Sequence, residues 1–150
     1  MKFIQEKAQF YDKIILKAVF ILFFIKMKVK KDEFILKHFL KFGPKKVFIY
    51  GTKKLDDKYL VWQNNGQCEF CGGLWKKGEG LFEALRKRVW EKNKVLISKI
   101  GNLLKSKLKD GELYLFFEIE VEKNNLQNSL IFKNLKEISN PSKEIQIFLS

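Results

Sequence analysis

The chain has 150 residues, with 30 Lys and Arg against 17 Asp and Glu, a single His, and a formal net charge of +13. Apolar residues make up 46% and aromatic residues 15%, which excludes disordered, collagen-like and linker-like classes. Two Cys cannot staple a secreted disulfide scaffold, so a cytoplasmic or other reducing intracellular compartment is expected.

The charge is uneven. Residues 1–26 carry +3, residues 27–111 carry +12 and residues 112–150 carry −2. A basic middle beside a mildly acidic end suits a surface that faces a polyanion; lysines solvating exposed faces are the plainer alternative.

The pattern divides the chain into an apolar and basic helical segment, residues 1–30, and a single α+β domain, residues 31–150. Ile14 to Ile25 reads IILKAVFILFFI. Its twelve residues would rise only about 18 Å as a helix, short of the roughly 30 Å hydrocarbon core, so a membrane span is not expected. The Lys-rich stretch after it offers no small-residue cleavage site either. A core element, a partner-docking helix and an interfacial anchor remain open, and Met27 is an alternative start.

Asp32 and Glu33 open a short helix that Gly43-Pro44 ends. KVFIY (46–50) and YLVWQ (59–63) read as strands, joined to a third, Gln67–Trp75, through the tight-turn signal Asn64-Asn65-Gly66. Leu81, Leu85, Val89, Leu96, Ile100, Leu103 and Leu104 then predict an amphipathic helical region over 81–108, with a break at Gly101. LYLFFEIEV (113–121) alternates as a strand with one wet face; Ser129–Phe132 and EIQIFL (144–149) are expected to follow as strands. The predicted architecture is α+β with N-terminal helices, as two mainly antiparallel three-stranded segments separated by the long helical region, α-βββ-α-βββ.

Cys68-Glu69-Phe70-Cys71 has the spacing of half a zinc site. Cys68 and Cys71 bind metal only if Asp, Glu, His38 or a second subunit completes the set; a redox pair or incidental buried thiols are the alternatives. His38 sits in a lysine-flanked helix, and Asp56-Asp57 reads as a turn. Glu118, Glu120 and Glu122 share one strand face, as a solvated edge or a metal-holding row. Gly78-Glu79-Gly80 lacks the spacing of a phosphate loop. With one His and no complete metal or nucleophile set, the chain is expected to be non-enzymatic and to need no cofactor.

The strongest constellation is basic. Lys45, Lys46, Lys53 and Lys54 flank the first strand, Lys76-Lys77 precede the helical region, and Arg86-Lys87-Arg88 and Lys92 lie inside it, continued by Lys94 and Lys99. Arginines suit bidentate phosphate contacts, and Tyr50, Trp62 and Trp75 would stack on bases if exposed. In topology, residues 31–100 resemble the double-stranded-RNA-binding domain, with Lys76-Lys77 before Leu81 standing where that family's second helix meets phosphates. The family's Gly-Pro-His loop and alanine-rich second helix are missing. DNA-binding arms of recombinases share the element order. The sequence thus predicts a small basic nucleic-acid-binding protein contacting RNA or a ribonucleoprotein. The alternative is a protein-protein interaction module, an assembly subunit or a mobile-element inhibitor, docking through Ile14–Ile25. Oligomeric state is open.

Overall fold

β-Branched and aromatic residues in KVFIYGT form a buried strand, β1 (Lys46–Thr52), at the centre of the fold. A computed structural model of the chain describes residues 31–122 and 129–150. The chain divides into two compact units, residues 1–41 and 42–150. In the first, helix α1 (Lys31–Leu40) carries Asp32 and Glu33 in its first turn and Lys37 and His38 in its last, as the helix dipole favours. Ile14–Ile25 and Met27 lie outside the described residues, so the docking helix and the alternative start have no structural account.

The second unit holds two four-stranded sheets. Sheet 1 runs β5 (Cys71–Leu74), β1, β7 (Glu112–Val121), β6 (Ile97–Lys109). Its β1–β7 pair is parallel, setting Phe48 beside Tyr114 and Tyr50 beside Phe116; the other two pairs are antiparallel. Sheet 2 is antiparallel: β2 (Lys54–Leu55), β3 (Lys58–Asn64) and β4 (Gln67–Glu69), with β8 (Leu130–Lys133) also on β3. Asn65 (φ 49°) and Gly66 (φ 80°) close the β3–β4 hairpin as their sequence predicts. Gly72 is required by close approach. At φ 144°, a Cβ there would stand 2.1 Å from the Ile49 carbonyl oxygen.

Because side chains alternate across a strand, sheet 1 has two apolar faces. Tyr50, Tyr114 and Phe116 point toward sheet 2 and pack with Val61, Phe70, Ile145, Ile147 and Phe148. Helix α2 (Leu81–Asn93) covers the opposite face, burying Leu81, Ala84, Leu85 and Val89 and setting Phe82 edge-on to Phe117.

The α+β class holds, but four expectations change, the first being that Gln67–Trp75 is two strands, β4 and β5, in different sheets. The helical region stops at Asn93, where Lys94 turns left-handed (φ 55°), and residues 97–109 form β6 on the rim of sheet 1. Register shifts between Ile97 and Lys99, Ile100 and Leu103, and Leu103 and Lys105 reset its alternation. The apolar residues therefore recur every three or so positions, which imitates a helix. The closing segment is helix α3 (Lys143–Leu149), not a strand. Ser142 holds its N-cap position, the Gln146 N–H donates to the Ser142 carbonyl, and Ile145, Ile147 and Phe148 are all buried. The two three-stranded segments are instead two four-stranded sheets, with β7 inserted between β1 and β6. Among the described residues no helix is long and apolar enough to cross a membrane.

Candidate functional site

The sequence-predicted basic residues do not form one open face. Arg88 is buried: its Nε donates to the Leu74 carbonyl (2.8 Å), one terminal nitrogen meets Glu79 Oε1 (2.5 Å) and the other lies 3.9 Å from Glu91. It clasps α2 to the end of β5. Burial pushes the Glu79 carboxyl up, but Arg88, the Lys76 backbone N–H and Lys87 outweigh it and hold the group below its ordinary value. Lys87 is 4.0 Å from the same carboxylate. Arg86 donates to the Ile97 carbonyl (2.6 Å), Lys92 pairs with the buried Glu69 (3.2 Å) and Lys53 pairs with Glu120 (2.7 Å). The Lys45 backbone N–H is bonded to the Gly111 carbonyl, Lys46 begins β1 on the surface, and Lys76 and Lys77 lie exposed in the loop before α2. Tyr50 is core rather than a stacking platform, Trp62 is half-buried on β3, and the Trp75 indole is tied to the Glu79 carbonyl (2.8 Å).

Cys68 and Cys71 are free and buried. Burial first, then the Glu69 carboxylate, push the Cys71 thiol up to about 12, whereas a zinc ligand or redox nucleophile is a thiolate. No group of three His, Cys, Asp or Glu able to hold a metal exists among the described residues.

What the fold does assemble is a cleft of about 730 Å³, within the usual range for small-molecule sites. Lys54 on β2, Lys105 on β6 and Lys136 from the 3-10 turn Leu135–Glu137 converge on it, with Asp57 the one carboxylate. Tyr59 and Phe148 supply aromatic walls edge-to-face at 5.3 Å, and Leu104, Leu135 and Leu149 complete the apolar lining. Lys54 Nζ sits 5.9 Å from the Tyr59 ring centroid and Lys105 Nζ 5.0 Å from that of Phe148, while Lys105 also donates to the Phe148 carbonyl. Desolvation, with Lys107 second, lowers the Lys105 pKa. None of the three lysines is paired with a carboxylate among the described residues.

Sequence reasoning found Lys54 and missed Lys105, Lys136, Tyr59 and Phe148. Lys105, Lys107 and Lys109 alternate as a strand's one face would, the signal that a helical reading of 81–108 concealed.

No family model matches the chain, and no curated protein does. Solved structures do share its fold. It is similar to an ADP-ribose pyrophosphatase from Streptococcus suis (TM-score 0.53, 14% identity, 69% of this chain and 87% of that one). A putative nudix hydrolase family member from Chromobacterium violaceum also scores 0.53 (15% identity, 69% and 73%). The mutator MutT protein from Bacillus halodurans scores 0.51 (18% identity, 70% and 80%). The fold is Nudix-like.

The Nudix-like fold shared with these structures overturns the expectation of a non-enzymatic RNA-binding chain, while docking through Ile14–Ile25 falls outside the described residues. The likeness to the double-stranded-RNA-binding domain fails structurally: the strand after α2 joins a mixed four-stranded sheet. Of the ten basic residues expected to meet nucleic acid, Lys53, Arg86, Arg88 and Lys92 are engaged in contacts within the chain.

Proposed function

We propose that this chain acts on a nucleotide-type phosphoanhydride, in the manner of a pyrophosphatase. The observation that carries the reading is the fold shared with the ADP-ribose pyrophosphatase over 69% of this chain and 87% of that one. The cleft supports it, because lysines without a carboxylate partner beside the half-buried Tyr59 ring suit a ligand that carries both phosphates and a base. Hydrolysis adds water across the P–O–P bridge: the water oxygen bonds to one phosphorus, the bridging oxygen leaves with the other, and each product ends in a phosphate. Lysines fixed beforehand near the bridging and terminal oxygens stabilise the negative charge that develops there.

Enzymes of phosphoanhydrides commonly hold a divalent cation on carboxylates. The residues here do not fit that arrangement. Glu79 and Glu91 both face Arg88, Glu69 faces Lys92, and Glu83 stands alone on the surface of α2 among the described residues. The reaction is therefore assigned no metal-held step.

The test is product analysis after incubation with ADP-ribose and with each nucleoside triphosphate, in Mg²⁺, in Mn²⁺ and in EDTA. Cleavage at a phosphoanhydride, reduced about 100-fold in Lys105→Gln, is the expected result. A chain that releases no product from any of these compounds under any condition is not a pyrophosphatase of this class.

A further inference from the structure

The mismatch between fold and carboxylates has a counterpart in the cleft. Beside α2 the carboxylates Glu79 and Glu69 already hold cations of the protein: Arg88 and Lys87 on Glu79, Lys92 on Glu69. In the cleft the imbalance runs the other way. Three ammonium groups meet one carboxylate, that of Asp57, and no acidic group pairs with Lys54, Lys105 or Lys136 among the described residues. Such a site lacks the negative charge that would retain a divalent cation and carries the positive charge that a phosphate chain would otherwise bring its own cation to neutralise.

We propose that this cleft binds its phosphoanhydride ligand as the metal-free polyanion, with Lys54, Lys105 and Lys136 neutralising the phosphates and the half-buried Tyr59 edge receiving the ring system; the ligand class rests on the reading above. Two features preorganise it. Lys105 is held by the Phe148 carbonyl and lies over the Phe148 ring, and Lys54 lies over Tyr59, so two ammonium groups are already drawn to the aromatic walls. The lysines also arise from three separate elements, β2, β6 and the 3-10 turn. A chain of two phosphates entering between them therefore meets positive charge from several sides.

Equilibrium binding of ADP and of inorganic pyrophosphate, in EDTA and in saturating Mg²⁺, tests this directly. Both are expected to bind in EDTA, and about tenfold more weakly when Mg²⁺ masks their charge. The Lys54→Gln/Lys136→Gln double variant alters only exposed side chains and is expected to weaken binding in EDTA by at least about tenfold, while Lys77→Gln leaves it unchanged. Binding that requires Mg²⁺, or a double variant that binds like the unmodified chain, overturns the inference. Equal binding of sulfate and pyrophosphate does so too. The two readings fail separately. Metal-dependent cleavage with no binding in EDTA removes the metal-free cleft and leaves the pyrophosphatase. Lysine-dependent binding in EDTA with no cleavage of any compound does the reverse.

Discussion

Cys71 lies on β5 with its thiol sealed in the core, one strand from Tyr50, whose phenol is likewise pushed up, by burial first and the Glu144 carboxylate second. A thiol raised from its ordinary 9.0 to about 12 stays protonated throughout the physiological range. Sealed in the core, both Cys should resist iodoacetamide in the native chain at pH 8 and react only after denaturation; mass spectrometry of alkylated native protein checks this. The folded state keeps a proton that the unfolded thiol loses, so Cys71 stabilises the fold fully below pH 9 and progressively less as pH rises toward 12. Conservative replacement by Ala or Ser would flatten that alkaline decline. Rapid native alkylation would show that the thiol is not sealed. The same contrast between free and engaged groups separates the lysines. Lys54 and Lys136 differ from Lys53 and Lys92 in lacking a carboxylate partner, a distinction of the folded chain that residue type alone cannot show.

At the scale of elements, Arg88 joins what sequence reading separated. Its guanidinium spans the Leu74 carbonyl at the end of β5 and the Glu79 carboxylate before α2, so strand, loop and helix share one buried cation. Arg88→Ala is expected to destabilise the fold by about 3 kcal/mol, because Glu79 loses its principal partner in a half-buried setting. Arg88→Lys should recover little of it, since one ammonium cannot match the fork of the guanidinium. Denaturant melts of both variants give the answer, and an unshifted midpoint for Arg88→Ala would refute the clasp. The strands β1, β3, β7 and β8, the β3–β4 turn and α2, the first half of the expected helical region, were legible, since each rests on local alternation, helical spacing or turn chemistry. β6 and α3 were not. Three register shifts disguised β6, and a seven-residue segment is too short for its spacing to separate helix from strand. The cleft followed them into obscurity, because it needs Lys54, Lys105 and Lys136 side by side. Only the packing of β6 and the 3-10 turn near β2 and β3 brings that about.

For the whole molecule, the net charge of +13 is not a uniform coat but a remainder after internal pairing. β6 shows where part of that remainder sits. It is thirteen residues long, bonded on one side to β7, and forms a rim of sheet 1. Leu104 and Leu108 are exposed along it. An edge of this length offers its open backbone groups to any other strand, and the apolar side chains would reward the meeting. Lys99, Lys105, Lys107 and Lys109 line the same strand and set like charge against like when two copies approach. Like charge along this border thus opposes edge-to-edge association of two copies. Raising salt to about 1 M contracts the screening length to about 3 Å and should promote self-association, visible as rising light scattering. Lys107→Ser/Lys109→Ser should reach the same scattering at lower salt; a response identical to that of the unmodified chain would place the repulsion elsewhere. The long rim strand is in this sense a latent seam between molecules, kept open by its lysines.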